Sequence, residues 1–257
     1  MRKSLVVTTI LALLILLAAM PAQTQGTGRL SDKMICLDPG HGGSDPGAIY
    51  NDGMIYLEEA DINLDVAYAL KALLEADGAE VVMTRPDDSD NTNSDRYTFA
   101  NKEEADILVS IHTNSVLRNP DTVDGSMALY FHDDDKVLAQ TIYAVMSPYL
   151  RDMRPAGVVT FTEWGVRKFA SGVLMKSDMP AAIMEPLCMS HPAEAALLVT
   201  PVYLDNGTTA NPDCNDCRRA QIAQAIYQGI VSYDFSQGDD DGGRPCDEPP
   251  CGKEKTR

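Results

Sequence analysis

Positive charge is scarce in this 257-residue chain: 21 Lys and Arg stand against 38 Asp and Glu, for a formal net charge of −17. Such a balance repels polyanions, so nucleic acid is excluded as a partner, and so is any capture of anionic polymers by charge alone. Histidine is sparse as well, with four in all (His41, His112, His132 and His191) and no local H-E-x-x-H pair. A zinc site built on one helical turn is therefore ruled out, and any metal site must gather its ligands over long range. Apolar runs long enough to span a membrane are also missing. The one extended run, Leu5 to Met20 after the basic start Met1-Arg2-Lys3, falls short of the roughly 20 residues that a spanning helix needs. Residues 1–22 thus read as a signal peptide, with a retained N-terminal anchor as the alternative and membrane contact only in that case. No lipid-attachment cysteine follows. The expected location is outside the cytoplasm, secreted or in the cell envelope.

The composition present is that of one well-cored domain, with 44% hydrophobic residues. A polar linker covers 23–32, a folded domain 33–235, and a disordered acidic, Pro- and Gly-rich tail 236–257. Neither an internal repeat nor a second module is evident. The six cysteines divide into two kinds. Cys36 and Cys188 sit in apolar stretches and read as buried free thiols. Cys214, Cys217, Cys246 and Cys251 lie in polar segments and read as disulfides of an exported protein, with a zinc knuckle as the weaker alternative.

From Lys33 the pattern alternates strand with helix. Met34–Leu37, Glu80–Thr84, Ile107–Ile111, Ser126–Phe131, Gly172–Met175 and Ala181–Met184 are expected strands. Ile62 through Leu74, Tyr97–Glu104, Lys136–Tyr149 and Arg218–Ser232 are expected helices. The implied fold is a single α/β domain: a twisted, mostly parallel sheet with helices on both faces.

Two histidines fall where such a sheet binds ligands, at the carboxyl ends of strands. His41 follows the first strand in Asp38-Pro39-Gly40-His41-Gly42-Gly43, and His112 ends the third. Glu59 stands at the mouth of the first helix. Two imidazoles and one carboxylate form a common catalytic zinc shell, leaving a place for water. Glu185, at the end of Ala181–Met184, is positioned as a general base or acid. Each residue also has an ordinary structural reading: a hydrogen-bonded histidine, a carboxylate complementing a helix dipole, a solvated side chain.

These segments, in this order, resemble the zinc-dependent N-acetylmuramoyl-L-alanine amidases of the Amidase_3 family, from about Met34 to Tyr233. The resemblance rests on Ile35–Gly43, Glu59-Ala60-Asp61-Ile62-Asn63-Leu64, Val82–Arg85, Arg96 with Ala100-Asn101 and Ala105-Asp106, Ser110–Asn114, and Pro180–Glu185. It implies His41, Glu59 and His112 as ligands of one Zn2+, and Glu185 as the catalytic glutamate. It further implies peptidoglycan as substrate, cut between N-acetylmuramic acid and the L-alanine of the stem peptide, with a protein activator as a possible partner. A zinc metallopeptidase or other amidohydrolase on the same scaffold, and a non-catalytic wall-binding protein, are the alternatives. Asn114 and Arg85 are candidates for positioning, Asp38 for orienting a ligand, and His132 and His191 are read as surface or structural. Pro186 and Cys188 depart from the family's usual sequence after its glutamate. The stretch from Gly125 to Glu185 is short for the inserted helix that plugs the zinc site in some relatives, so an open site is expected.

Overall fold

A computed structural model describes residues 28–204, 207–211, 213–214 and 216–236. The segment read as a signal peptide, Cys246, Cys251 and nearly all of the tail lie outside the described residues.

Six strands make the central sheet: β1 (Met34–Pro39), β4 (Glu80–Met83), β5 (Ile107–Ile111), β6 (Asp124–Tyr130), β7 (Phe161–Lys168) and β8 (Ala181–Glu185). Their spatial order is β4-β1-β5-β8-β6-β7. The first four run parallel, β6 pairs antiparallel with β8, and β7 is parallel to β6. Two hairpins lie outside it, β2 (Ile49–Asn51) with β3 (Tyr56–Glu58), and β9 (Tyr203–Leu204) with β10 (Thr209–Ala210).

Strand periodicity sorts the core into two layers, because successive side chains point to opposite faces. Ile35 and Leu37 of β1, Ile107, Val109 and Ile111 of β5, and Ala182 and Met184 of β8 face one cluster. Helices α1 (Glu59–Ala76), α3 (Asp133–Asp152) and α6 (Arg218–Val231) cover it, with Ile62, Val66, Leu70 and Leu74 of α1 at helical spacing. Cys36, Leu108, Ala181 and Ile183 face the other cluster, under α2 (Asn93–Lys102) and α4 (Gly172–Lys176). Helices on both faces of a mostly parallel sheet are as the sequence implies.

Some elements depart from expectation. Gly172–Met175 is not a strand: Met175 N–H donates to Ser171 O, a helical bond, and Val173 and Leu174 are buried against the α2 face of the sheet. A short apolar run carries no period of its own, so packing decided it. Helix α2 begins four residues before Tyr97, where Thr92 and Asp95 close a capping box. Strand β7 and the short helix α5 (Pro192–Leu198) had no clear periodic signal. Leu30, within the expected linker, is buried, and Arg29 bonds Asp77 and Tyr227. Cys36 and Cys188 are buried free thiols and Cys214 pairs with Cys217.

Candidate metal centre

Strands β4 and β5 flank β1 on opposite sides, so the chain order reverses there and a crevice opens beyond the carboxyl ends of β1 and β5. His41 follows β1 and His112 follows β5, while Glu185 ends the next strand, β8. The ladder continues into the site, with Gly40 N–H donating to Ile111 O at 2.9 Å and His112 N–H to Met184 O at 3.0 Å.

Glu59 is the first residue of α1, delivered by the β2–β3 hairpin, and the helix dipole favours a carboxylate there. Its Oε2 accepts from Ala48 N–H at 3.0 Å and lies 3.2 Å from His41 Nε2. Its Oε1 accepts from Thr113 N–H at 3.1 Å and lies 3.0 Å from His112 Nδ1. Asn63, one turn along α1, donates to Glu59 Oε1 and Gly40 O and accepts from Thr113 Oγ1. One ligand atom from each of His41, Glu59 and His112 falls within 4.8 Å of the others, a group that can hold a metal ion.

His41 sits at φ 61°, a left-handed conformation a side chain adopts at a cost, and this turns its ring into the crevice. Two guanidiniums brace that turn from beneath. Arg85 donates to Pro39 O, Gly40 O and Ala60 O, and Arg96 to Pro39 O and His41 O. Two glycines leave the space the rings need. A Cβ at Gly40 would stand 2.3 Å from the His112 ring, and one at Gly47 would stand 2.6 Å from the His41 ring.

Asp38 does not orient a ligand through its side chain, contrary to expectation. It is buried, accepting from Thr84, Ser110 and Arg96, because its strand parity points it under α2 rather than toward α1. The carboxylate on the far nitrogen of His41 is Asp45, with Oδ2 2.8 Å from Nδ1. Its only sequence signal is the four-residue spacing from His41. Asn114 turns its side-chain oxygen to the next amide, Ser115, and its carbonyl to Met189 N–H. His132 and His191 start α3 and α5 away from the group.

Charges here are strongly interdependent. Burial disfavours a protonated His41, but the carboxylates of Glu59 and Asp45 outweigh it and lift the ring to about 9. Burial likewise opposes ionised Glu59, yet His112 and His41 hold its carboxyl well below the usual range. Glu185 is raised to about 7, first by burial and then by Glu59, against the pull of His112 and His41. Its Oε2 is buried with no hydrogen-bond partner among the described residues. A cavity of about 380 Å³ opens beside the histidines, lined by Gly40, His41, Asn91, Asn93, Ser171 and Val173 among others.

Fold and geometry together define an open α/β domain with a His–Glu–His group and an isolated carboxyl at its carboxyl edge. Residues 35–232 match the Amidase_3 family, N-acetylmuramoyl-L-alanine amidase. The chain belongs to this family. It is 32% identical over 208 residues to the probable cell wall amidase LytH of Staphylococcus saprophyticus, covering 81% of this chain and 60% of that protein. This chain therefore spans about three fifths of that relative. It is 29% identical over 227 residues to the germination-specific N-acetylmuramoyl-L-alanine amidase of Bacillus subtilis, covering 82% of this chain and 83% of that protein. The solved structure of the CwlD amidase from Clostridioides difficile in complex with the GerS lipoprotein superposes with a TM-score of 0.59. The two are 27% identical, over 81% of this chain and 100% of that one.

Proposed function

We propose that this chain is a peptidoglycan hydrolase that cuts the amide bond between N-acetylmuramic acid and the L-alanine of the stem peptide. In this reading His41, Glu59 and His112 hold one zinc ion and Glu185 carries the proton. The observation that carries it is the convergence of His41, Glu59 and His112 from three separate elements beside the buried carboxyl of Glu185. Two imidazole nitrogens and one carboxylate oxygen, already turned toward one another, are a donor set that suits catalytic zinc.

When bound, zinc acidifies a water and polarises the carbonyl of the scissile amide. The protein's own groups do the rest. Asp45 and Glu59 hold the His41 ring between them, and the Thr113 and Ala48 amides keep Glu59 in place, fixing the donors before metal arrives. As a ligand, His41 would give up its ring proton and serve as a neutral imidazole. Glu185 accepts a proton from the attacking water and returns it to the departing amine of alanine, a dual task that suits a carboxyl near neutrality.

The expected site of action is the cell envelope, in keeping with relatives named as cell wall amidases. Among the described residues, no helix is long and apolar enough to cross a membrane. Access is direct: the His41 and His112 side chains are 23% and 22% exposed, which favours activity without prior removal of a plug. A lipoprotein accompanies the CwlD relative, and an accessory protein for this chain is a reading of the same kind.

Digestion of purified peptidoglycan, with and without chelator and read by mass spectrometry, tests the proposal. Chelator-sensitive release of stem peptides bearing a free L-alanine amine is the expected result. Release of internal peptide fragments would replace the amidase by a metallopeptidase, and binding without cleavage would leave a wall-binding protein.

A further inference from the structure

The cavity beside the histidines lies where α2 and α4 begin, on the sheet face that carries Ile183. Glu185, two residues further along β8, has the same strand parity, so it belongs to that face as well. Charges in the cavity wall are already matched. Asp38 accepts from Thr84, Ser110 and Arg96, and Arg96 also donates to Asn91 O, Pro39 O and His41 O. With that guanidinium committed, uncharged groups are left to meet a ligand. Asn93, the first residue of α2, and Ser171, just before α4, line the cavity. Neither serves as a side-chain cap: Thr92 and Asp95 cap α2, and the Ser171 hydroxyl caps no amide of α4. A glycine lets the two approach. A Cβ at Gly172 would stand 3.1 Å from Asn93 Cβ and 3.5 Å from its Nδ2, so the Asn93 amide lies against the residue that follows Ser171. Asn101 fixes this approach, donating to Lys176 O and accepting from Asp178 N–H. Val173 and Ile183, 3% and 6% exposed, add an apolar wall.

A carboxamide and a hydroxyl supply both donors and acceptors, while valine and isoleucine beside them favour a small apolar group. We propose that Asn93, Ser171, Val173 and Ile183 form a subsite for a secondary amide that carries a methyl group, with Asn93 and Ser171 as specificity-determining residues. Placing this amide in peptidoglycan rests on the amidase reading; the chemistry of the subsite does not. Two such groups flank the scissile bond of that substrate. One is the acetamido group of N-acetylmuramic acid, and the other is the L-alanine residue, with its methyl and the peptide bond beyond it. Either offers a C=O and an N–H to Asn93 and Ser171, and a methyl to Val173 and Ile183. Removing one uncharged hydrogen bond of this kind costs about tenfold in affinity.

Calorimetric binding to the zinc-loaded Glu185→Gln chain tests the subsite with three ligands: N-acetylmuramoyl-L-alanyl-D-isoglutamine, its de-N-acetylated form, and its analogue with glycine in place of alanine. Adding Asn93→Ala or Ser171→Ala should weaken the first ligand by about tenfold. That loss should vanish for the trimmed ligand that lacks the recognised group. Its disappearance with the de-N-acetylated form assigns the subsite to the sugar, and with the glycine analogue to the alanine. An equal loss on all three ligands, or no loss on any, would overturn the subsite. With Glu185 intact, the same substitutions should raise KM on peptidoglycan by about tenfold and leave kcat and zinc content little changed. Zinc loss in both variants would mark a structural role and overturn the proposal. Asn93→Asp, which keeps the size and removes the donors, serves if Asn93→Ala does not fold. Ligand binding that depends on Asn93 and Ser171, with no cleavage of peptidoglycan by the wild type, would keep the subsite and remove the amidase. Cleavage with KM unchanged in both variants would do the reverse.

Discussion

Two charged clusters flank Glu185 at the same edge of the sheet, and they balance their charge by opposite means. On the β1–β5 side, His41, Glu59 and His112 stand in a partly open crevice and present their donor atoms toward one point. On the β6 side, Asp124, Glu194 and Arg218 are sealed from water, with Arg218 bonded to both Glu194 oxygens and Asp124 bonded to the Cys188 amide. The first is a group that can take its counter-charge from outside as a cation. The second carries its own, the Arg218 guanidinium on Glu194. Desolvation explains the division: an unbalanced charge is tolerable at a wet edge and expensive in a dry one.

The comparison can be broken at several points. His41→Ala should abolish activity and reduce bound metal from about one ion per chain to almost none, measured by elemental analysis. Full zinc content in that variant would place the metal elsewhere. Glu185→Gln should retain its zinc while turnover on peptidoglycan falls by about a hundredfold to ten-thousandfold. Near-normal turnover would show that Glu185 is not the proton carrier. Arg218→Met strands the buried Glu194 carboxyl and should cost about 3–5 kcal/mol in denaturant unfolding, with zinc affinity little changed once folded. A negligible loss there would mean that the dry cluster is not held by its guanidinium. The smallest effect is expected for Asp45→Ala, which frees the far nitrogen of His41: metal affinity should weaken by about tenfold to a hundredfold by competition with a chromophoric chelator. Unaltered affinity would mean that the Arg85 and Arg96 braces alone hold the ring.

Much of the wet cluster was legible in the sequence. His41, Glu59, His112 and Glu185 each lie at the end or start of a strongly patterned element, where an open α/β sheet exposes side chains. Their supporters were less visible. Asp45 is an unremarkable acid in a loop, and Asp38, a tempting neighbour, belongs to the opposite face. Arg85 and Arg96 spend their donors on backbone carbonyls that no pattern reveals. The dry cluster was not legible at all. Asp124, Glu194 and Arg218 are separated by 70 and 24 positions, and each looks like an ordinary surface charge until β6, α5 and α6 close over it.

The sequence by itself determined five of the six central strands and the four longer helices through their hydrophobic period, the shortage of cations that excludes polyanion binding, and the four residues at the carboxyl edge. Only the tertiary structure decided that β6 and β7 reverse the sheet, that Gly172–Lys176 coils into a helix, and which acids are wet and which are dry. The reason is physical: period and turn chemistry are local properties of the chain, whereas the energy of a charge depends on what other segments exclude water from it.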